Sequence, residues 1–252
     1  MSEKLFWTVM AASMTATVFM SALLLYVGIP AEAHSTGDNA TETVNLYFDG
    51  DRMDVDIPNV AYDDGEYVRQ IYSAVSSPRF AVSDSAIDSL MDVLDERMVG
   101  MSDLDKARAL LDFVYINVYY KSDEYQFGHS EYTQYPSETL LNGKGDCEDM
   151  AMLLYVLYQK AGLDAVMVYC NDHVAVAVDV DALGESVSFM GRDYIVSDPT
   201  SSRGLGNTML EEVWFVSKAD NPLAANVIIL VIVVVQLFVG ALIFTQWRGR
   251  HE

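Results

Sequence analysis

The chain has only two cysteines, and one of them stands in a setting that suits a nucleophile. Cys147 lies in the segment NGKGDCEDMA, after two glycines and between Asp146 and Glu148. Asp146 suits a helix N-cap, and apolar residues follow at helical spacing from Met150 until Gly162. The pattern predicts that Cys147 begins a helix, where unpaired N–H groups and the helix dipole favour a thiolate and can stabilise an oxyanion. The flanking acids act in the opposite direction, so a cationic partner is required.

A histidine and an aspartate follow at positions that could complete such a site. In the segment LDAVMVYCNDHVAVAVDV two β-rich runs break at Asn171-Asp172, which predicts a hairpin whose second strand opens with His173. The next predicted hairpin, ESVSFMGRDYIVSD, ends at Asp198, beside the histidine strand. A thiolate, an imidazole and a carboxylate that orients the imidazole are the groups of nucleophilic thiol catalysis. Each residue alone is common in cores and turns, but together Cys147, His173 and Asp198 are the predicted catalytic residues.

Helices are predicted before the cysteine, and a hairpin before those helices. Residues 83–100 and 102–120 each begin with a serine and an aspartate and continue with apolar residues at helical spacing. The segment TVNLYFDGDRMDVDIP predicts a hairpin with Asp49-Gly50 at its turn. Its aspartates lack the spacing of a calcium loop, so we expect a solvated strand face, with no metal and no other cofactor. The pattern is that of an α+β domain, with helices leading into a small antiparallel sheet.

A long irregular stretch begins at Lys121, KSDEYQFGHSEYTQYPSETLLNGKG, and is rich in tyrosine and turn-forming residues. Long loops in compact domains are often functional. Tyr132 and Tyr135 are therefore predicted to line a substrate groove, although tyrosines also pack at domain edges.

Two uncharged apolar runs flank the middle of the chain, Leu5 to Ile29 and Leu223 to Phe244. Each exceeds the roughly 18 to 20 residues that a helix needs to cross a bilayer, so both are predicted membrane spans. The first run could instead be a signal peptide, since Ala31-Glu32-Ala33 has the pattern of a cleavage site. Its length favours an uncleaved anchor.

The flanking charges predict the orientation of these spans. Lys4 lies at one end of the chain and Arg248 and Arg250 at the other, which places both termini in the cytoplasm and the segment between the runs outside it, at the cell membrane. The predicted organisation is a transmembrane anchor or signal peptide at 1–30, a juxtamembrane linker and hairpin at 31–61, the main domain at 62–220, a transmembrane helix at 221–247 and a cytoplasmic tail at 248–252.

The charge of the chain excludes one class of partner. The formal net charge is −22, and nearly all charged residues lie between the two apolar runs. Such a field repels phosphate backbones, so no nucleic acid partner is expected. The acidic surface suits concentrated salt or cationic partners, or is simply a well-solvated face.

The segment GKGDCEDMAMLLYVLYQKAGLDAVMV, followed by HVAVAV and YIVSDPT, resembles the core of the transglutaminase-like superfamily. The resemblance extends upstream and covers about residues 62–200. It implies a papain-like α+β fold, here between two transmembrane helices, in a membrane-anchored microbial member of archaeal origin. By this likeness Cys147 is the nucleophile, His173 the base and Asp198 the residue that orients the base. Tyr194 stands where relatives carry an aromatic residue before Asp-Pro, which makes it a third substrate-binding candidate.

The resemblance implies attack of Cys147 on an amide or peptide bond of a protein or peptide substrate, through an acyl-thioester. Water as the acceptor would make the protein a peptidase or deamidase, and a lysine amine would make it a cross-linker; hydrolysis is slightly favoured because water needs no second binding site. The alternative is an inactive transglutaminase-like binding or scaffold module at the cell surface. A disulfide between Cys147 and Cys170 would silence the nucleophile. Besides the substrate, the lipid bilayer is the expected partner, and no oligomeric state is indicated.

Overall fold

The computed structural model describes residues 41–58, 84–128 and 132–218, all of which lie within one structural unit, Ala31–Ala219. The helices in these ranges are α1 (Ala86–Arg97), α2 (Asp103–Asn117), α3 (Asp123–Phe127), α4 (Pro136–Asn142) and α5 (Cys147–Lys160). The strands are β1 (Thr41–Phe48), β2 (Asp51–Pro58), β3 (Tyr119–Tyr120), β4 (Lys144–Gly145), β5 (Ala165–Tyr169), β6 (Val174–Val178), β7 (Ser186–Phe189), β8 (Arg192–Ser197) and β9 (Phe215–Ser217).

The main sheet has five strands in the order β7-β8-β6-β5-β9, and every neighbouring pair is antiparallel. Helix α5 packs against β5 and β6 on one side and against α2 and α4 on the other. The predicted mixed fold, with helices that lead into an antiparallel sheet, is confirmed. The packing of α5 on this sheet places the first residue of α5 beside the start of β6.

Helix α5 is buried on all its faces, which explains why its apolar residues are not confined to one stripe. Tyr158 gives the helix a fully buried polar link to both neighbouring layers. The Tyr158 hydroxyl donates to the carbonyl of Ala107 on α2 at 2.9 Å and shares a 2.6 Å hydrogen bond with the Ser197 hydroxyl on β8. Because Ser197 directly precedes Asp198, this link also fixes the end of β8.

The first hairpin forms as predicted, with Phe48 paired to Asp51 across the turn. The turn residues Asp49 and Gly50 have φ angles of 50° and 84°, the left-handed conformation that a two-residue hairpin turn requires and that Asp-Gly favours. The alternate side chains Met53, Val55 and Ile57 are buried, while the aspartates between them are exposed. The hairpin packs on α1 and α2.

No helix among the described residues is long and apolar enough to cross a membrane. The predicted spans within 1–30 and 221–247 lie outside the described residues, as do residues 59–83 and 129–131.

Candidate active site

Cys147 is the first residue of α5, as the sequence predicts, and Asp146 is its N-cap. The carboxylate of Asp149 accepts a hydrogen bond from the backbone N–H of Asp146 at 3.3 Å, the reciprocal half of a capping box. This arrangement fixes the backbone on both sides of the sulfur.

A polar network centred on the buried residues Gln134 and Asp149 holds that helix start in place. Asp149 accepts hydrogen bonds from the backbone N–H and the Nε2 of Gln134, at 2.7 and 2.6 Å. Gln134 also donates to the carbonyl of Lys144 at 3.2 Å and accepts from Asn142 Nδ2 at 2.7 Å. Burial raises the pKa of Asp149 well above its usual range. A Cβ on Gly145 would lie 2.7 Å from Asp149 Cβ, so only glycine fits there.

The surroundings of the Cys147 thiol favour its neutral form. The sulfur is half-buried and donates to Glu148 Oε2 at 3.3 Å. Burial raises the pKa of Cys147 well above its ordinary value, the charge of Glu148 raises it further, and a hydrogen bond from the backbone N–H of Val174 only partly offsets both. The helix start predicts a lower pKa for this thiol and the flanking acids predict a higher one. Burial and the acids together outweigh the helix dipole.

His173 and Asp198 lie in direct contact, with His173 Nε2 3.3 Å from Asp198 Oδ1. The contact follows from the sheet, because β6 and β8 are neighbours and Val176 pairs with Ser197. Asp198 is 5 % exposed, and its Oδ1 also accepts from the backbone N–H and the hydroxyl of Thr200 at 3.0 and 2.8 Å. Burial alone would raise the pKa of Asp198, but the hydrogen bonds from His173 and Thr200 bring it below its usual value.

The turn between β5 and β6 brings the histidine to the cysteine. The backbone N–H of Cys170 donates to the carbonyl of His173 at 2.8 Å, which closes the turn at Asn171-Asp172. The next residue, Val174, is the one whose N–H reaches the Cys147 sulfur. Among the described residues, the sulfur makes no direct hydrogen bond to the imidazole. Since Asp198 occupies Nε2, Nδ1 is the ring nitrogen left for a proton from the thiol.

The three predicted substrate-binding tyrosines occupy different environments. Tyr135 is fully buried, and its backbone N–H donates to Glu138 at 2.8 Å at the start of α4. Tyr194 is 3 % exposed and packs in the core of the sheet. These two side chains present no surface to a substrate, so the predicted groove contact has no support at either position. Tyr132 is half-buried against the ring of Phe127, at a centroid distance of 4.5 Å.

Three aromatic residues near the thiol were not predicted from the sequence: Tyr120, Tyr169 and Phe215. Their positions depend on strand pairing between distant segments. The strands that carry Tyr120 and Phe215, β3 and β9, are only two and three residues long. Strands this short have no periodicity to detect.

Both cysteines are free thiols in the structure, so the alternative of a disulfide between Cys147 and Cys170 is not formed. Cys170 is 7 % exposed and packs with Val166, Val168 and Ala177. It therefore has the environment of a core residue.

Acidic side chains beside the thiol could hold a cation. Asp123, Asp146 and Asp149 each offer a carboxylate oxygen within 4.8 Å of the others, and Asp146, Cys147 and Glu148 form a second such group. Carboxylate oxygens are the ligands of hard cations. The sequence pattern indicates no metal ligand at these positions.

One comparison with known proteins indicates the type of domain. Residues 93–217 match the model of the Transglutaminase-like superfamily, so a transglutaminase-like domain occupies this part of the chain. No match is found among curated proteins. The predicted membrane anchoring and archaeal origin stay predictions.

Solved structures give looser similarities. The chain is 14 % identical to Legionella pneumophila LapG, over 62 % of this chain and 84 % of that chain, with a TM-score of 0.42. The same values hold for calcium-bound LapG. A proposed protease from Parabacteroides distasonis ATCC 8503 is 13 % identical over 68 % of this chain and 40 % of that one, with a TM-score of 0.33.

Proposed function

We propose that this domain is a thiol-dependent enzyme that cleaves amide or peptide bonds, with Cys147 as nucleophile, His173 as base and Asp198 as the residue that orients the base. One observation carries the proposal: residues from a helix start, a hairpin turn and a strand end converge at one point. His173 is held by Asp198 at 3.3 Å, and the adjacent Val174 N–H reaches the Cys147 sulfur.

The proposed reaction begins with a neutral thiol. His173 takes the proton of Cys147 through Nδ1 as the sulfur attacks the carbonyl carbon, and Asp198 stabilises the resulting imidazolium. The backbone N–H at the start of α5 can donate to the developing oxyanion. The C–N bond then breaks, the amine leaves with the proton from His173, and the acyl group remains on the sulfur as a thioester.

The acceptor of the acyl group decides the outcome. Water, deprotonated by His173, would attack the thioester carbon and break the C–S bond. The acid then leaves, and His173 returns the proton to the Cys147 sulfur, which completes a hydrolysis. A lysine amine would instead form a cross-link. Hydrolysis is the slightly favoured outcome because it needs no second binding site.

We also propose that the domain works outside the cytoplasm, held at the cell membrane by the apolar runs 5–29 and 223–244. The absence of charge in both runs and the basic residues beyond them support this placement. The substrate would then be an extracytoplasmic protein or peptide.

A second candidate function is a binding or scaffold module that does not use the triad. One observation favours it: the Cys147 thiol donates to Glu148 at 3.3 Å, and its pKa is raised by burial and by that charge. A thiol held in this way is a poor nucleophile at neutral pH.

Alkylation separates the two candidates. The rate of iodoacetamide labelling at neutral pH would be measured on the full chain carrying Cys170→Ser, so that Cys147 is the reacting thiol. The enzyme proposal expects His173→Ala to slow labelling about tenfold or more, because the neutral thiol then loses its base. An equal rate in both proteins would favour the binding module.

A further inference from the structure

We propose that Tyr120 on one side of Cys147, and the stacked pair Tyr169 and Phe215 on the other, form an aromatic cleft that selects a basic side chain of an extended peptide. This inference rests on the proposed function, because it concerns the substrate of the same thiol.

The strand register places one wall of the cleft. Phe215 on β9 pairs with Tyr169 on β5, and Tyr169 pairs with Val174 on β6. These three residues therefore form one row across the sheet, and the row ends at the N–H that contacts the Cys147 sulfur. Neighbouring strands lie about 4.8 Å apart, so Phe215 is about 10 Å from Val174 along the row. An extended peptide spans that distance in about three residues.

The side chains of this wall stand on the face of the sheet that carries α5. Val168 and Val216 pack into the core cluster on the opposite face, so by alternation Tyr169 and Phe215 face α5. Their rings stack at a centroid distance of 4.4 Å and an interplanar angle of 11°. Phe215 remains 41 % exposed. Its ring is thus held in position by the stack and is still open to a ligand.

Tyr120 forms the opposite wall. It pairs with Gly145, two residues before Cys147, and the Lys121 N–H donates to the Gly145 carbonyl at 2.9 Å. Tyr120 is 50 % exposed. Partial burial raises the pKa of Tyr120, and the nearby charges of Cys147 and the flanking acids raise it further, which is consistent with a hydroxyl close to the thiol.

The charged residues around the cleft indicate the charge of the substrate side chain that would bind there. Glu148 lies beside the thiol, since it accepts from the Cys147 sulfur at 3.3 Å, and its charge contributes to the raised pKa of Tyr169, after burial. The base nearest to β9 is Lys218, which is paired with Asp164 at 2.5 Å. Exposed aromatic rings beside carboxylates bind the aliphatic stem and the cation of lysine or arginine. An acidic side chain would be repelled.

The test uses three peptides that differ in one side chain and end in the same thiol-reactive vinyl sulfone. The variable residue is lysine, norleucine or glutamate, placed in turn at each of the three positions before the electrophile. Norleucine matches lysine in length without the charge. The rate of Cys147 labelling is measured in the full chain carrying Cys170→Ser, and iodoacetamide serves as a probe too small to reach the rings.

We expect lysine peptides to label Cys147 about fivefold faster than norleucine peptides, and glutamate peptides to be the slowest. Tyr120→Leu and Phe215→Leu should reduce the ratio of lysine to norleucine labelling. Dividing each peptide rate by the iodoacetamide rate of the same variant removes any change in the reactivity of the thiol itself. Tyr119→Leu and Trp214→Leu are matched controls, because alternation directs these exposed neighbours away from the cleft, and both should keep the preference. Tyr120→Phe and Phe215→Tyr preserve the rings and should also keep it, which separates recognition from misfolding.

Several results would overturn the inference. Equal labelling by lysine and norleucine peptides would make the cleft an apolar site. An unchanged preference in Tyr120→Leu and Phe215→Leu would mean that the rings face another partner, such as the bilayer. Both results leave the proposed function intact as long as iodoacetamide labelling still depends on His173. Loss of that dependence is the separate result that contradicts the proposed function.

Discussion

The thiol of Cys147 is subject to two opposing influences. The helix start and the Val174 N–H stabilise a thiolate, whereas burial and Glu148 stabilise the neutral thiol, and the second pair is stronger. Burial and Glu148 therefore oppose the formation of a thiolate at Cys147. The proposed reaction accommodates this, because His173 removes the proton as the sulfur attacks.

Replacing Glu148 with glutamine should make Cys147 more reactive. The substitution removes the largest charge contribution to the raised thiol pKa while keeping the size of the side chain. We expect the rate of alkylation at pH 8 to rise about tenfold, which corresponds to a fall of one pKa unit. The exposed Glu211→Gln is the control. An unchanged rate in Glu148→Gln would show that burial alone sets the pKa.

Asp198 should contribute to stability in acid. Its folded pKa lies below the usual value, so its contribution is present above about pH 3.9, the pKa in the unfolded chain, and is lost as the pH falls through the folded pKa. The wild-type melting temperature should thus fall more steeply below pH 4 than that of Asp198→Asn. Thermal unfolding followed by circular dichroism between pH 2 and 6 tests this. Parallel curves for the two proteins would contradict it.

Among the helices and strands, the elements set by neighbouring residues were predicted from the sequence, and the contacts between distant segments were not. The start of α5, the Asp49-Gly50 hairpin and the hairpin that presents His173 are all set by neighbouring residues, and the structure confirms them. Gln134 could not be found in this way, because its partner Asp149 is 15 residues away and the contact needs the whole loop folded. The aromatic row across β9, β5 and β6 depends equally on sheet order.

The link between α2, α5 and β8 should be sensitive to one hydroxyl group. Tyr158→Phe removes the hydrogen bonds to Ala107 and Ser197 and leaves the buried carbonyl without this donor. We expect a loss of about 1–3 kcal/mol in the free energy of unfolding. Chemical denaturation measures it, and Tyr115→Phe, at an exposed position of α2, is the control. A loss no greater than that of the control would mean that water replaces the link.

At the scale of the whole molecule, the resemblance in the sequence predicted the type of domain, and the family match over residues 93–217 supports it. The membrane setting depends on hydropathy and flanking charge alone. These two properties are sufficient to predict a span, but they do not distinguish a permanent first anchor from a cleaved signal peptide.

A chain without the second apolar run can distinguish a permanent first anchor from a cleaved signal peptide. A chain that ends at residue 220 should stay in the membrane fraction after a high-pH carbonate wash if the first run is an uncleaved anchor, as we expect. Release of this truncated chain, with a new N-terminus near residue 33, would show cleavage. Release of the full-length chain by the same wash would contradict membrane anchoring altogether.

The proposed function requires Cys147 to accept an acyl group with the help of His173. The most direct measurement is the mass of the full chain, carrying Cys170→Ser, during reaction with p-nitrophenyl acetate, alongside Cys147→Ala and His173→Ala. We expect one acetyl group on Cys147 that forms with a burst of nitrophenolate and is then lost to water, and a rate at least about tenfold lower in His173→Ala. Acetylation at the same rate without His173, or no acetylation of Cys147 at all, would contradict it.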